Sequence, residues 1–230
     1  LLPLPAQGAV LDMCAAPGGK TLVLARRLFG GAGVGGATEG ANLRLVANER
    51  SSGRRARLHR VLRDHLPEGI LRHISVTGHD ATKWGLYEQE AYDAILCDVP
   101  CSSERHVLSS PEHLKHWSPN RVRSLAIQAV GFVAAACDAL RPGGFLLYCT
   151  CSLTEDENDA VVARLLKRRQ SVRVVAPDRL SPPTIPELEF RREEAPAPFG
   201  APTTYGRHVL PDAEDGAGPL YFALLTKGLH

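Results

Sequence analysis

The chain is predicted to fold as an α/β protein with a mostly parallel sheet and one late antiparallel strand. Three observations predict this. Short apolar runs alternate along the chain with segments of helical period. The 230 residues are 44% apolar, enough for one domain with a full core. A final apolar run follows a segment with nine prolines between positions 177 and 219, and suits a strand added late to the sheet.

The elements follow in order. "AVLDM" (9–13) is a short buried strand that leads into a turn. "KTLVLARRL" (20–28) has helical spacing at Leu22, Leu24, Ala25 and Leu28. Residues 30–42 are rich in Gly and Ala and are expected to be a loose insertion. "LRLVANE" (43–49) is the second strand, and "GRRARLHRVLRDHL" (53–66) an amphipathic helix with Leu58, Val61, Leu62 and Leu66 inward. "RHISVTGHD" (72–80) and "YDAILCDVP" (92–100) are the third and fourth strands. "SLAIQAVGFVAAACDAL" (124–140) is a long helix that "RPGG" (141–144) stops. "FLLYCT" (145–150) is the fifth strand. "EDENDAVVARLLKRR" (155–169) opens with acids and closes with bases, as a helix dipole favours. "VRVVAP" (172–177) is a further strand, 177–219 an irregular segment, and "PLYFALLTK" (219–227) the last strand.

No apolar run is long enough to span a membrane, and the start has no signal-peptide pattern. The chain opens on Leu1 rather than Met, which predicts a segment upstream. A net charge of +2 does not announce nucleic acid, but placement of charge matters more than its sum. The six cysteines are expected to be reduced, intracellular thiols. Neither Cys97-x-x-x-Cys101 nor Cys149-x-Cys151 has a common zinc spacing, so no metal site is predicted.

The first turn, "VLDMCAAPGGKT" (10–21), ends like a triphosphate loop. That loop needs a glycine where Cys14 stands. The dinucleotide fingerprint fails as well, because Gly18 and Gly19 are adjacent. What remains is a strand, a small-residue turn and a helix, with Ala15, Ala16, Gly18 and Gly19 letting backbone approach a ligand. Glu49 ends the second strand, where it can hold both hydroxyls of a ribose. Asp80 ends the third, where it can accept from an adenine amino group. Acids without a phosphate cradle suit a nucleoside without phosphates, of which S-adenosylmethionine is the common case. Either acid alone would more simply be a solvated strand-end residue.

"DVPCSSERH" (98–106) and "YCTCSLTEDEN" (148–158) close the fourth and fifth strands. In an open α/β sheet, ligands bind outside those ends. Cys101 and Cys151 would therefore face the crevice that holds the cofactor, and a deprotonated thiol there is a nucleophile. Methylation of a pyrimidine at carbon 5 needs one. Thiolate addition to carbon 6 makes carbon 5 nucleophilic, after which a base removes the carbon 5 proton and the thiol leaves. Asp98 would hydrogen-bond the base edge, and Lys20 would support the same charge. Against this stand a small core cysteine at each strand end and a four-cysteine metal site, the latter disfavoured because Cys149 points toward the sheet core.

These stretches, with "ANERSSGR", "HDATKWG", "ALRPGGFLLYCTCSLTEDEN" and "GPLYFALL", resemble the Sun-domain (Fmu-type) RNA cytosine-5 methyltransferases, in order and over nearly the whole chain. "DVPCSSERH", "KWG" and "HVLPD…GPLYFALL" look closest to the mitochondrial ribosomal-RNA branch. The resemblance implies a class I, Rossmann-like methyltransferase fold with a seven-stranded sheet. It implies S-adenosylmethionine held by Cys14, Ala15, Pro17, Gly18, Gly19, Lys20, Glu49, Arg54, Asp80, Ala81 and Asp98. It also makes Cys151 the nucleophile and Cys101 the residue that assists product release, a ranking that the residues alone leave open. It further implies action on RNA in the mitochondrion, or in the cytoplasm of a bacterium. Val99 stands where the family at large more usually has Ala, and the insertion at 30–42 has no assigned role.

RNA contacts are expected from Arg105, His106, Lys115, Arg121 and Arg123, within or beside the segment from His113 to Arg123. Trp117 would either stack on a base or pack under a loop. The target base would have to be flipped out of any duplex. So modest a net charge predicts that an upstream segment or a partner, such as the helical-repeat protein that serves one member of the mitochondrial branch, supplies RNA affinity. The alternatives are the same chemistry on transfer RNA, and a silent RNA-binding assembly factor.

Overall fold

A computed structural model describes residues 1–30, 42–104, 107, 112, 115, 117–176, 200–212 and 218–229. Most of the Gly-rich insertion, most of the Pro-rich segment, Arg105, His106 and His113 lie outside the described residues.

Five strands form the parallel part of one sheet. They are β1 (Gly8–Asp12), β2 (Leu43–Asn48), β3 (Ile74–Thr77), β4 (Tyr92–Asp98) and β5 (Leu140–Thr150), in the order β3-β2-β1-β4-β5. The last strand, β9 (Leu220–Lys227), pairs antiparallel with β5, as expected, so that Leu147 faces Leu224. The outer edge of β9 is shared end to end. β6 (Val172–Val174) pairs with its C-terminal half and β8 (Arg207–Val209) with its N-terminal half. The short β7 (Ala201–Pro202) closes a hairpin on β8, inside the stretch expected to be irregular.

Both faces of the sheet are covered, and the strands are apolar on both sides for that reason. Val10, Ala94 and Leu96 pack with Leu24 and Ala25 of α1 (Gly19–Phe29) and with Leu58 and Leu62 of α2 (Ser52–His65). Leu11, Ile95 and Cys97 pack on the other face with Val133 and Ala136 of α4 (Pro119–Ala139) and Val161 of α5 (Asp159–Arg168). A one-turn helix, α3 (Glu68–Leu71), leads into β3. Helix α4 starts five residues before the expected position, because Ser118 caps it through Arg121 N–H and Pro119 fits its first turn. It is long and apolar enough to cross a membrane by length and composition, contrary to the sequence expectation. Here it is a core helix, with ten buried residues. "RPGG" does stop α4, but its residues continue directly into β5 as a bulge, where Gly143 takes φ +78°.

Strand order reverses between β1 and β4, which opens a crevice outside their C-terminal ends. Two residues fix the turn there. Gly18 has φ +120°, and a Cβ on it would lie 3.0 Å from Val61 and 3.1 Å from Leu58 of α2. Asp12, fully buried at the end of β1, accepts a 2.6 Å hydrogen bond from the Thr21 hydroxyl of α1 through Oδ2, while Oδ1 has no partner among the described residues. Burial pushes the Asp12 carboxyl up to about 7.

Gly18→Ala is expected to cost about 2–3 kcal/mol in urea unfolding, from its positive φ and the contact with α2. Gly19→Ala, whose Cβ would meet no atom within 4 Å, leaves stability nearly unchanged. For Asp12, the folded pKa lies above the unfolded one, so the fold holds a proton that the open chain releases. Its contribution is fully present below about pH 4 and falls away as pH rises through about 7, a loss on the order of 4 kcal/mol. Asp12→Asn keeps an acceptor for Thr21 and should remove that fall. An unchanged stability–pH curve would sink this assignment.

Candidate active site

Four strand ends and one helix converge on the crevice. The turn after β1 carries Met13 and Cys14, and Glu49 follows β2 directly. The Ala16 carbonyl of the turn accepts from Arg54 of α2 (3.0 Å), whose guanidinium also lies 3.4 Å from Glu49. Glu49 is buried, and its other oxygen accepts from Ser51 N–H at 2.8 Å. The carboxylate is thereby aimed and half-neutralised before any ligand arrives. Asp80 lies three residues beyond β3 rather than at its end. It caps the 3₁₀ helix Ala81–Leu86 by accepting from Thr82 N–H and hydroxyl, and its second oxygen pairs with Arg50 at 3.3 Å. The Thr82 hydroxyl, helped by Arg50, holds the Asp80 carboxyl below its ordinary value.

Asn48, which no sequence motif marks, locks these ends together. Its amide donates to Met13 O and His79 O and accepts from Thr77 hydroxyl and His79 N–H, joining the ends of β1, β2 and β3. A polar residue closing the apolar run "LRLVAN" was the available signal. An open pocket lies beside it, lined by Cys14, Glu49, Asp80 and Ala81, and by Pro100 and Phe132, which the sequence did not single out. Over the turn, the Cβ position of Gly19 is open, and no side chain caps the first N–H groups of α1 among the described residues. A nucleoside with a charged amino-acid tail fits this set: carboxylates at one end, bare backbone N–H groups at the other.

Lys20 pairs with Asp98 at 2.7 Å. Burial works against the Lys20 ammonium, but the Asp98 carboxylate outweighs it and holds the Lys20 pKa up. Two residues beyond Val99, Cys101 Sγ lies 3.1 Å from Cys151 Sγ, and both thiols are free. The pair is asymmetric. The hydrogen bond the two sulfurs share lowers the Cys151 thiol to about 7, with help from the Ser103 hydroxyl against burial. Cys101 is pushed up, by the same hydrogen bond first and by burial second. Cys14, Cys97 and Cys149 are buried or nearly so and pushed up by that burial, so none competes as a nucleophile.

Two buried carboxylates tie the cysteine loops together. Glu157 accepts from Ser102 N–H (2.9 Å), from the Ser102 hydroxyl and from the Ser152 hydroxyl (2.9 Å). Glu104 lies 2.5 Å from the same Ser102 hydroxyl, whose single proton the two carboxylates share, and accepts from Leu153 N–H (3.3 Å) and from the Trp117 indole N–H (2.8 Å). Trp117 is thus a loop clamp, which favours packing over base stacking. Asn158 completes the frame by accepting from Thr150 hydroxyl and donating to Ser152 O. In the sequence, Glu157 reads as one of the acids that serve a helix dipole. Instead it precedes α5 and points inward. Of the expected RNA contacts, Lys115, Arg121 and Arg123 are exposed.

The model of the 16S rRNA methyltransferase RsmB/F family matches residues 1–226. The 5-cytosine rRNA methyltransferase NSUN4 of Bos taurus is 33% identical over 99% of this chain and 57% of its own length. Ribosomal RNA small subunit methyltransferase F of Aeromonas salmonicida is 34% identical over 96% of this chain and 40% of its own. Among solved structures, NSun6 from Pyrococcus horikoshii, described as bound with SFG, superposes with a TM-score of 0.71 at 21% identity, over 98% of this chain and 49% of that one. The chain spans about half the length of the curated relatives it matches. With the switch-point crevice, the paired thiols and a family match over nearly its full length, the chain belongs to the 16S rRNA methyltransferase RsmB/F family.

Proposed function

We propose that this chain methylates cytosine at carbon 5 in ribosomal RNA, through a covalent adduct on Cys151. The observation that carries the reading is the pair of free thiols 3.1 Å apart at the ends of β4 and β5, beside the ligand cavity. S-adenosylmethionine is the cofactor of the family. When bound, it supplies an electrophilic methyl group. Glu49 would take its ribose, Asp80 its adenine, and the turn of Cys14, Ala15, Pro17, Gly18 and Gly19 its amino-acid end, with Arg54 and Ala81 flanking.

The chain's own residues then divide the work. Cys151, with its lowered pKa, adds to carbon 6 of the base. Asp98, fixed by Lys20, faces the base edge and supports the protonated ring. After carbon 5 has been methylated and has lost its proton, Cys151 leaves, and Cys101 assists that release. The lowered pKa of Cys151 and the greater burial of Cys101 agree with the ranking that the resemblance implies. The names of the relatives support ribosomal over transfer RNA. Exposed Lys115, Arg121 and Arg123 would contact the RNA backbone, and the modest net charge favours a further source of affinity, either another segment or a helical-repeat protein. The relatives are animal and bacterial proteins, and the chain is proposed to act in the mitochondrion, as the resemblance implies, or in a bacterial cytoplasm.

Labelled methyl transfer to small-subunit ribosomal RNA tests the reading. Cys151→Ser should lose transfer and still bind S-adenosylmethionine; normal turnover by it would refute the assignment. Cys101→Ser should accumulate a protein–RNA adduct stable on a denaturing gel. Because the thiolate is the reactive form, the rate should climb with pH through about 7 and level off above it. In calorimetry, Glu49→Ala should weaken S-adenosylmethionine binding by about tenfold or more, as one charged hydrogen bond is lost. Unchanged affinity would remove Glu49 from the ribose site.

A further inference from the structure

Ser103 has φ +59°, the left-handed region that side chains other than Gly, Asn and Asp seldom adopt. Glycine would meet the backbone requirement at less cost, but would bring no hydroxyl. The hydroxyl sits between the reacting sulfurs. Its Oγ lies 3.7 Å from Cys151 Sγ and 3.8 Å from Cys101 Sγ, and it donates to the Cys101 carbonyl at 3.2 Å. Strain of this kind persists only where the surroundings over-determine it. They do so here. The preceding residue, Ser102, is held through its N–H by Glu157 and through its one hydroxyl proton, shared between Glu157 and Glu104, and both carboxylates are anchored to the Cys151 loop as well.

We propose that Ser103 is a catalytic residue of the thiol pair: its hydroxyl is a rotating partner that accepts from the Cys151 thiol and donates to the thiolate. While Cys151 is protonated, its S–H points at Ser103 Oγ and the Ser103 O–H is spent on Cys101 O. When the Cys151 proton leaves to solvent, the O–H turns from that carbonyl to the sulfur. The thiolate then has two donors, Cys101 S–H and Ser103 O–H, where the loop would otherwise offer one. Turning back, the hydroxyl uncovers the sulfur for attack on carbon 6. No bond other than hydrogen bonds changes at Ser103, so no oxidant or further reactant is needed. The proposal rests on the function above for its meaning, though not for its test.

The test uses the full chain and iodoacetamide as probe, with peptide mass spectrometry reading Cys151 apart from the other five thiols. In Ser103→Gly the alkylation midpoint of Cys151 should rise by about one pH unit, slowing modification at pH 7 roughly fivefold, while the melting temperature holds or rises because the strain is gone. Ser103→Ala should show the same rise in midpoint without the gain in stability, which separates the hydroxyl from the strain. Both rises should be smaller than that in Cys101→Ala, since Cys101 is the stronger donor. A Ser103→Gly midpoint equal to that of the wild type overturns the proposal whatever the chain does to RNA. A raised midpoint upholds it even if no RNA accepts a methyl group, a result that would count against the function alone.

Discussion

Glu157 is the constraint on which the catalytic geometry depends. A buried carboxylate is costly unless donors surround it. Glu157 finds them on both cysteine loops at once: Ser102 after Cys101, Ser152 after Cys151, and Thr154 at 3.3 Å. The chain cannot satisfy this carboxylate without bringing the two loops together. The Sγ–Sγ distance of 3.1 Å follows from an electrostatic demand several residues away, rather than from any attraction between thiols. Tyr148 strengthens the frame by donating to Glu157 O from within β5, so the carboxylate is referenced to the sheet itself.

The crevice at the strand ends follows a second electrostatic rule. Each of its acids comes with a cation from a neighbouring element: Glu49 with Arg54, Asp80 with Arg50, and Asp98 with Lys20. Pairs whose cation stays in solvent, as all three do here, add little to stability. They do keep the crevice near neutral while leaving oriented carboxylate oxygens for hydroxyl and amino groups. A triphosphate would meet three carboxylates and a turn without a cradle. A zwitterionic nucleoside and an uncharged pyrimidine meet no such penalty. The Cys14 that excludes a triphosphate loop and the pairing of acids with bases therefore point to the same ligand class.

Much of this was legible because it is local. Apolar runs such as "AVLDM" and "YDAILCD" sit where both faces of a parallel strand are buried, and the turn and the two Cys-Ser steps occupy strand ends that the topology brings together. What escaped was set by long-range satisfaction of polar groups. Glu157 looked like an acid for a helix dipole, because nothing in "TEDEN" says which acid turns inward. Asn48 reads as the end of a strand, yet its four hydrogen bonds reach residues 13, 77 and 79. Asp80 looked like a strand end, and is instead a cap held off β3 by a loop. The β7–β8 hairpin was hidden among prolines. It is held from outside by Asp159, which accepts from Thr203, Thr204 and Tyr205.

The two thiols show why motif and geometry have to be taken together. "DVPCSS" and "YCTCSL" offer equivalent cysteines, and residue chemistry alone does not rank them. The folded loop breaks the equivalence. Cys101 is the more buried of the two, and its sulfur accepts from Cys151 N–H at 3.4 Å, while the two sulfurs share a hydrogen bond. Ionisation is favoured at the more open sulfur, Cys151. On the proposed reading, the remaining proton stays on Cys101, beside the sulfur that bonds to the base. Two loops joined by buried carboxylates thus hold two like cysteines in unlike surroundings, and it is the surroundings that tell them apart.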